Sequence, residues 1–423
     1  MNDEGGFPGP ALSAFIRQHA ADDVRTLSLQ MSRFGERERR FVLQQIAGRQ
    51  AAQRKLPSWA AMDGLRYPSH LPMEQCSSEA TARYKATVIE RIGIGRGTSG
   101  AGDGRFVDLT GGFGVDCHYI ARLFAHAVYV ERNEELAATV RLNYDLLGNG
   151  HIPIIIGDGV EYLRTMPHAD WVLIDPARRD EHGSRTVALS DCSPDVTLLT
   201  DLLQAKADRT LLKLSPMIDI AEAVRLLPQT VEADVVAVEG ECKEVLLIME
   251  TGTRKVDADA MPICCVNLRN DGRVIGQPFV FTREEEREAA QHVTHEAHAE
   301  GPIVGAYLFE PHAALMKAGA FRTIALRYGL SRLHPNSHLY TSAEPKPEFP
   351  GRQFRITGTY GLSKSELRRL KSEVPKANLS VRNFPMSAAE LRHRTGLRDG
   401  GDHYLFATTL SDGARVLLDC RKE

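Results

Sequence analysis

The stretch Phe106-Val-Asp-Leu-Thr-Gly-Gly-Phe-Gly-Val-Asp116 decides how the chain is read. A short apolar run ends in Asp108, a turn carries Gly111, Gly112 and Gly114, and a helix begins. Glycines at such a turn let a ligand approach bare backbone beside a helix N-terminus. A dinucleotide fingerprint would have the spacing GxGxxG with no acid at the strand end. Asp108 would repel a pyrophosphate there, so a cationic or zwitterionic ligand fits better.

The pattern repeats outward from this turn. About 20 residues past the glycines a second run, VYVERN, ends in Glu131, where a carboxylate can accept from vicinal hydroxyls. A third ends in Gly157-Asp158-Gly159, and a fourth in Asp175-Pro176-Ala177-Arg178. Four consecutive strands thus end in an acid at one edge of a sheet, the edge where open α/β folds bind ligands. From Arg105 to about Thr251 such runs alternate with helical stretches, which predicts a doubly wound α/β sheet. The last two runs, DVVAVEG and EVLLIME, are joined only by Glu241 to Lys243 and predict an antiparallel hairpin, a reversed last strand.

The flanks differ in composition. Residues 1–90 read as a helical N-terminal domain, 91–252 as the α/β domain, 253–345 as a small α/β domain and 351–423 as a β, α, β, α, β, β module after the proline-rich SAEPKPEFPG, which reads as a linker. The 423 residues carry 52 Lys plus Arg and 55 Asp plus Glu, with 43% hydrophobic and 25% charged residues, which excludes a disordered chain or a fibrous repeat. The net charge of −3 divides into +2 for residues 1–90, +6 for 351–423 and −11 between them. Seven scattered cysteines without a CxxC pair give neither a disulfide framework nor a zinc ribbon. No apolar run approaches the roughly 20 residues of a membrane span, so the expectation is a cytoplasmic protein without a membrane partner.

Asp108, the glycine turn, Glu131 and Asp158 resemble the class I S-adenosylmethionine-dependent methyltransferases over roughly residues 90 to 250. The resemblance implies a Rossmann-like parallel sheet with a reversed last strand and S-adenosyl-L-methionine as cofactor. It places Asp108, Thr110, Gly111, Gly112 and Gly114 toward the methionine half, Glu131 toward the ribose, and Asp158 and Gly159 toward the adenine. The Thr-Gly-Gly-Phe-Gly turn departs from the commoner D/E-x-G-x-G-x-G form. Asp175-Pro176-Ala177-Arg178 is similar to the D/N-P-P-aromatic motif of enzymes that methylate nucleobase nitrogens. That implies Asp175, Pro176 and Arg178 as catalytic residues, although Ala177 and Arg178 replace the proline and the aromatic. Arg178 either stacks or binds a phosphate through its guanidinium, or is an ordinary loop residue.

Upstream, Leu71 to Lys85 is dense in polar residues. Trimethylguanosine synthase-type enzymes carry a comparable segment, which makes Gln75, Ser77, Thr81 and Arg83 candidate substrate contacts; helix capping from Ser77 or Ser78 is the other reading of the same residues. The whole layout resembles bacterial methyltransferase-like proteins with a small ferredoxin-like domain and a THUMP-like C-terminal domain, on the strength of KLPSW, EQCSSEATARYKA, DPARRD, LKLSPMID, GECKE, FEPHAALMKAG and RNFPMSAAEL. THUMP domains bind RNA, so the resemblance implies an RNA methyltransferase acting on a base nitrogen of tRNA or rRNA; the alternatives are a non-catalytic RNA-binding protein that retains the cofactor-binding fold and a small-molecule methyltransferase. In the C-terminal module, helical spacing puts Lys364, Arg368 and Lys371 on one face, with Arg368 and Lys371 as candidate RNA contacts. His292, His295 and His298 read as a solvated helix, and no metal site is expected.

Overall fold

The computed structural model describes residues 9–31, 34–93, 104–178, 188–252, 257–292 and 304–422. These divide into two units, the first holding residues up to 239 with 243–256 and 268–273, the second holding most of the remainder. Among the described residues no helix is long and apolar enough to cross a membrane.

The first unit is built on seven strands: β1 (Arg105–Asp108), β2 (His126–Glu131), β3 (Ile154–Ile156), β4 (Ala169–Ile174), β5 (Ala207–Leu214), β6 (Thr230–Val238) and β7 (Glu241–Glu250). Their spatial order is β6-β7-β5-β4-β1-β2-β3. β1 pairs in parallel with β2 and β4, β2 with β3, and β4 with β5, whereas β7 runs antiparallel to β5. This is the doubly wound sheet with a reversed last strand that the alternation predicts. The hairpin turn falls at Glu239-Gly240, both at positive φ, two residues before the expected connector.

The strands read as continuous apolar runs because helices cover both faces. Trp171, Val172, Leu173 and Ile174 of β4 are at most 1% exposed. Chain order reverses on either side of β1, so a crevice opens at its C-terminal end, between the turns that follow β1 and β4. Helices lead into the sheet: α1 (Glu36–Lys55), α2 (His70–Gln75) and α3 (Glu79–Ile92). Val42 and Ile46 of α1 pack with Leu12, Leu27 and Met31 in a small core of their own. Ser78 caps α3 by accepting from the Thr81 N–H at 3.2 Å.

In the second unit one seven-stranded sheet joins the parts that the sequence separates. Its strands include β10 (Tyr307–Pro311), β11 (Ser331–Arg332), β12 (Tyr340–Ser342), β13 (Gly351–Tyr360), β14 (Lys376–Arg382), β15 (Arg398–Thr409) and β16 (Arg415–Lys422), following the hairpin β8 (Ile263–Leu268) and β9 (Phe279–Phe281). The order is β11-β12-β10-β13-β16-β15-β14. SAEPKPEFPG is therefore no free linker. Phe349 within it is buried, with its ring centroid 5.1 Å from that of Phe309, and β13 pairs along β10 immediately after it. One apolar side chain docks a stretch whose prolines suggest a spacer.

Candidate active site

The turn after β1 is shaped by what lies beneath it. A Cβ on Gly111 would stand 2.1 Å from the Tyr129 ring, so only glycine lets the backbone lie on that ring. Tyr129 Oη in turn donates to the Gly112 carbonyl at 2.6 Å. Gly114 has φ +77° and leads into the helix α4 (Val115–Ile120), a left-handed conformation that disfavours side chains. The turn encloses one side of a cavity of about 610 Å³ at the C-terminal edge of the sheet.

All the acids expected at the strand ends line this cavity, together with Thr110, Gly111, Gly112, Gly114, Gly159 and Pro176. Their immediate work is to hold the turns. Glu131 accepts from the Gly112 N–H at 2.9 Å and the Asn133 N–H at 2.8 Å. Asp158 caps the following helix by accepting from the Val160 and Glu161 N–H groups at 2.8 and 3.1 Å. Asp108 is buried and accepts from the Thr110 N–H at 3.1 Å. Burial first, then the neighbouring Asp116, Asp175 and Glu131, push its carboxyl well above the usual carboxylate range. A cation brought into the cavity would favour its ionised form.

Asp175 is tied on both sides. Its N–H donates to Thr110 Oγ1 at 2.7 Å, and its carboxylate accepts from Lys213 Nζ on β5. Behind this pair lies a second buried group. Lys85, fully buried on α3, stands 3.1 Å from Asp116, 2.7 Å from Glu244 and 3.1 Å from Ser77 Oγ, while Ser77 donates to Asp116 at 2.6 Å. Burial works against the Lys213 charge, but Asp175, Glu244 and Asp116 together hold its ammonium above the ordinary lysine range.

A second cavity of about 520 Å³ adjoins the first. Gln75, Cys76, Ser77, Lys213 and Lys243 line both, forming the wall between them. Thr81, Arg54 and Lys55 face only the second. Of the four upstream candidates, Gln75, Ser77 and Thr81 thus reach a cavity, whereas Arg83 lines neither. It pairs with Glu79 at 2.8 Å and lies over the Tyr119 ring at 4.6 Å. The capping alternative holds at Ser78, which leaves Ser77 free for the buried cluster.

The backbone of Ala177 and Arg178 forms a short antiparallel pair with Cys192 and Ser193. The Arg178 side chain lies outside the described residues, as do His295 and His298. In the second unit Arg368 and Lys371 are exposed on the helix Lys364–Glu373, with no ion pair or hydrogen bond among the described residues. Arg382 and Arg392, counted in the same basic excess, are paired with Glu310 and Asp399 instead. No group of three or more metal-binding side chains occurs among the described residues.

Lys85, Lys213, Asp116 and Glu244 carry no role in the sequence reading. Their signal is a charged residue set in an apolar run: Lys213 in TLLKL, Glu244 before VLLIM, and Lys85 on the buried side of a helix. A charge at such a position needs a partner, and here the partners are one another.

Residues 307–350 match the ferredoxin-like domain family and residues 351–422 the family described as THUMP domain-like. A crystal structure of a protein from Porphyromonas gingivalis W83, assigned as a methyltransferase, is 37% identical, with a TM-score of 0.83 and 97% of each chain covered. A Listeria monocytogenes protein assigned as a class I S-adenosylmethionine-dependent methyltransferase shares 12% identity at a TM-score of 0.37, over 61% of this chain and 85% of that one, too remote to carry an argument. No curated protein matches in sequence. The doubly wound sheet with its reversed last strand is the fold of a methyltransferase. The chain belongs to the methyltransferase family represented by the Porphyromonas protein, with ferredoxin-like and THUMP-like domains in its C-terminal half.

Proposed function

We propose that the protein is an S-adenosyl-L-methionine-dependent RNA methyltransferase. The observation that carries this reading is the convergence of Asp108, Glu131, Asp158 and Asp175 on one cavity whose volume suits a nucleoside-sized ligand. The residues fit the donor. Asp108 supplies the counter-charge that a cationic amino acid half calls for, each Glu131 oxygen takes one backbone N–H and retains a lone pair for ribose hydroxyls, and Gly159, where a Cβ would stand 2.1 Å from the Leu109 carbonyl, lets the turn carrying Asp158 pack against the one after Asp108. When bound, the donor supplies an activated methyl group on a sulfonium. The chain's own part is to orient the acceptor, exclude water and hold charge in place.

Asp175 is the residue at the acceptor side, fixed by Thr110 and Lys213. The Asp175-Pro176 pair alone suggests a base nitrogen as acceptor, but Ala177 and Arg178 stand in place of the proline and aromatic that complete that motif and leave the acceptor atom open. RNA as substrate is supported by the match to THUMP-like domains and by the unpaired Arg368 and Lys371. Calorimetry with S-adenosylmethionine tests the cofactor: micromolar-range binding is expected, and absence of binding by the wild type would defeat the reading. Mass spectrometry of RNA nucleosides from cells with and without the gene tests the substrate. An identical set of methylated nucleosides in both would defeat the RNA assignment.

A further inference from the structure

The wall shared by the two cavities bears on the acceptor atom, given the reading that the larger cavity holds the methyl donor. A base nitrogen attacks with its own lone pair, and its site needs acceptors for N–H groups and a flat partner for the ring. A hydroxyl is a poor nucleophile until its proton is withdrawn. Its site needs a cation beside the oxygen and a carboxylate for the proton.

The wall carries the second set. Lys213 faces both cavities with its ammonium on the Asp175 carboxylate, and the two side chains are 14% and 36% exposed, so both are open to an incoming group. Asp116 and Glu244, which hold Lys85, also act on the Lys213 charge and favour its ammonium form. Beside a nitrogen lone pair the same ammonium would bind that lone pair and oppose attack. The residue after Asp175-Pro176 is Ala177, whose methyl offers no ring to a base. The second cavity adds Arg54, which is exposed and has no partner among the described residues, as a contact for a flanking phosphate.

We infer that the acceptor is the 2′-hydroxyl of a ribose in RNA, activated between Lys213 and Asp175. In the step the hydroxyl oxygen bonds to the methyl carbon as the carbon–sulfur bond breaks, with that bond's electron pair left on sulfur. The hydroxyl proton passes to the Asp175 carboxylate and from there to water. Lys213 keeps its own proton and donates a hydrogen bond to the oxygen while negative charge builds on it.

The test uses the full-length protein, S-adenosylmethionine with a tritiated methyl group, and total RNA from cells lacking the gene, followed by alkaline hydrolysis. A 2′-O-methyl group blocks cleavage of the adjacent phosphodiester, so label is expected in dinucleotides. Label in mononucleotides would place the methyl on a base, overturning this inference while leaving the RNA methyltransferase reading intact. No label in RNA from a wild type that binds the cofactor would defeat both. Lys213→Met is expected to lower incorporation by about 100-fold with cofactor affinity, read by calorimetry, within roughly threefold of wild type. Incorporation within about threefold of wild type, or a loss of cofactor affinity beyond about tenfold, would overturn the role given to Lys213. The alkaline digest of the wild type decides the acceptor even if that variant does not fold.

Discussion

The two units use the same charged residue types in opposite ways. In the first, Lys85 is fully buried and locked between Asp116 and Glu244, and Lys213 is held by Asp175. In the second, Lys364, Arg368 and Lys371 stand in solvent on one helix face. Buried charges carry a desolvation cost that their partners offset only with good geometry, so a buried cluster holds its members in fixed positions. Exposed cations are screened by salt and hold nothing in place, yet they attract phosphates from a distance. One arrangement suits chemistry at a point; the other suits gripping a polyanion.

The largest effect should come from the pair at the cavity wall. Asp175→Ala is expected to reduce methyl transfer by about 10²- to 10⁴-fold while calorimetric cofactor affinity stays within a few-fold. An equal loss of both would make Asp175 a cofactor or structural residue. Next comes the buried cluster. Lys85→Met leaves Glu244 and Asp116 without their cation and should destabilise the first unit by about 3–5 kcal/mol in urea unfolding; a change below about 1 kcal/mol, as at a surface pair, would erase the contrast between the units.

A pH test follows from His118, buried on α4 with its ring nitrogens 2.7 Å from Arg122 and Asn149. Burial, then Arg122 and Arg83, depress its pKa from 6.5 to about 4. The unfolded chain therefore binds the proton first, so stability is full above the unfolded value and falls as pH drops from about 6.5 to about 4, by roughly 3 kcal/mol. His118→Gln should flatten urea midpoints across that window, and an unaltered pH slope would refute the assignment.

Smaller still, Glu131→Ala should weaken cofactor binding by about 1.5–3 kcal/mol, read by calorimetry. Unchanged affinity would mean that the ribose is held elsewhere. The smallest effect belongs to the exposed face. Reversing Arg368 and Lys371 to Glu should reduce the log–log salt slope of RNA binding by roughly 0.7 to 0.9 per lost contact, with cofactor affinity unaffected. An unmoved slope would exclude this face as a grip.

The sheet was legible in the sequence because its central parallel strands, β1 and β4 above all, are buried on both faces and so announce themselves as apolar runs. The acids were legible because each terminates such a run. Lys213, Lys85 and Glu244 were not, since only the pairing of β5 with β4 and β7 and the packing of α3 bring residues from 85 to 244 together. Arg83 stands apart from the other upstream candidates because its guanidinium is held by Glu79 one helical turn away. Phe349 misled: three nearby prolines mask an aromatic anchor.

Sharing one sheet across Gly351 sets a limit on how this protein can be dissected. Residues 351–422, cut out as a separate fragment, would lose the strand Tyr307–Pro311 that pairs with Phe354, Arg355 and their neighbours. The fragment would then present half the length of β13 as a bare edge, with Phe354, fully enclosed in the intact chain, stripped of Leu308 from its shared core. Such edges recruit other chains. Aggregation of that fragment would reflect where it was cut, and the smallest cassette with both sides of β13 paired begins before Tyr307.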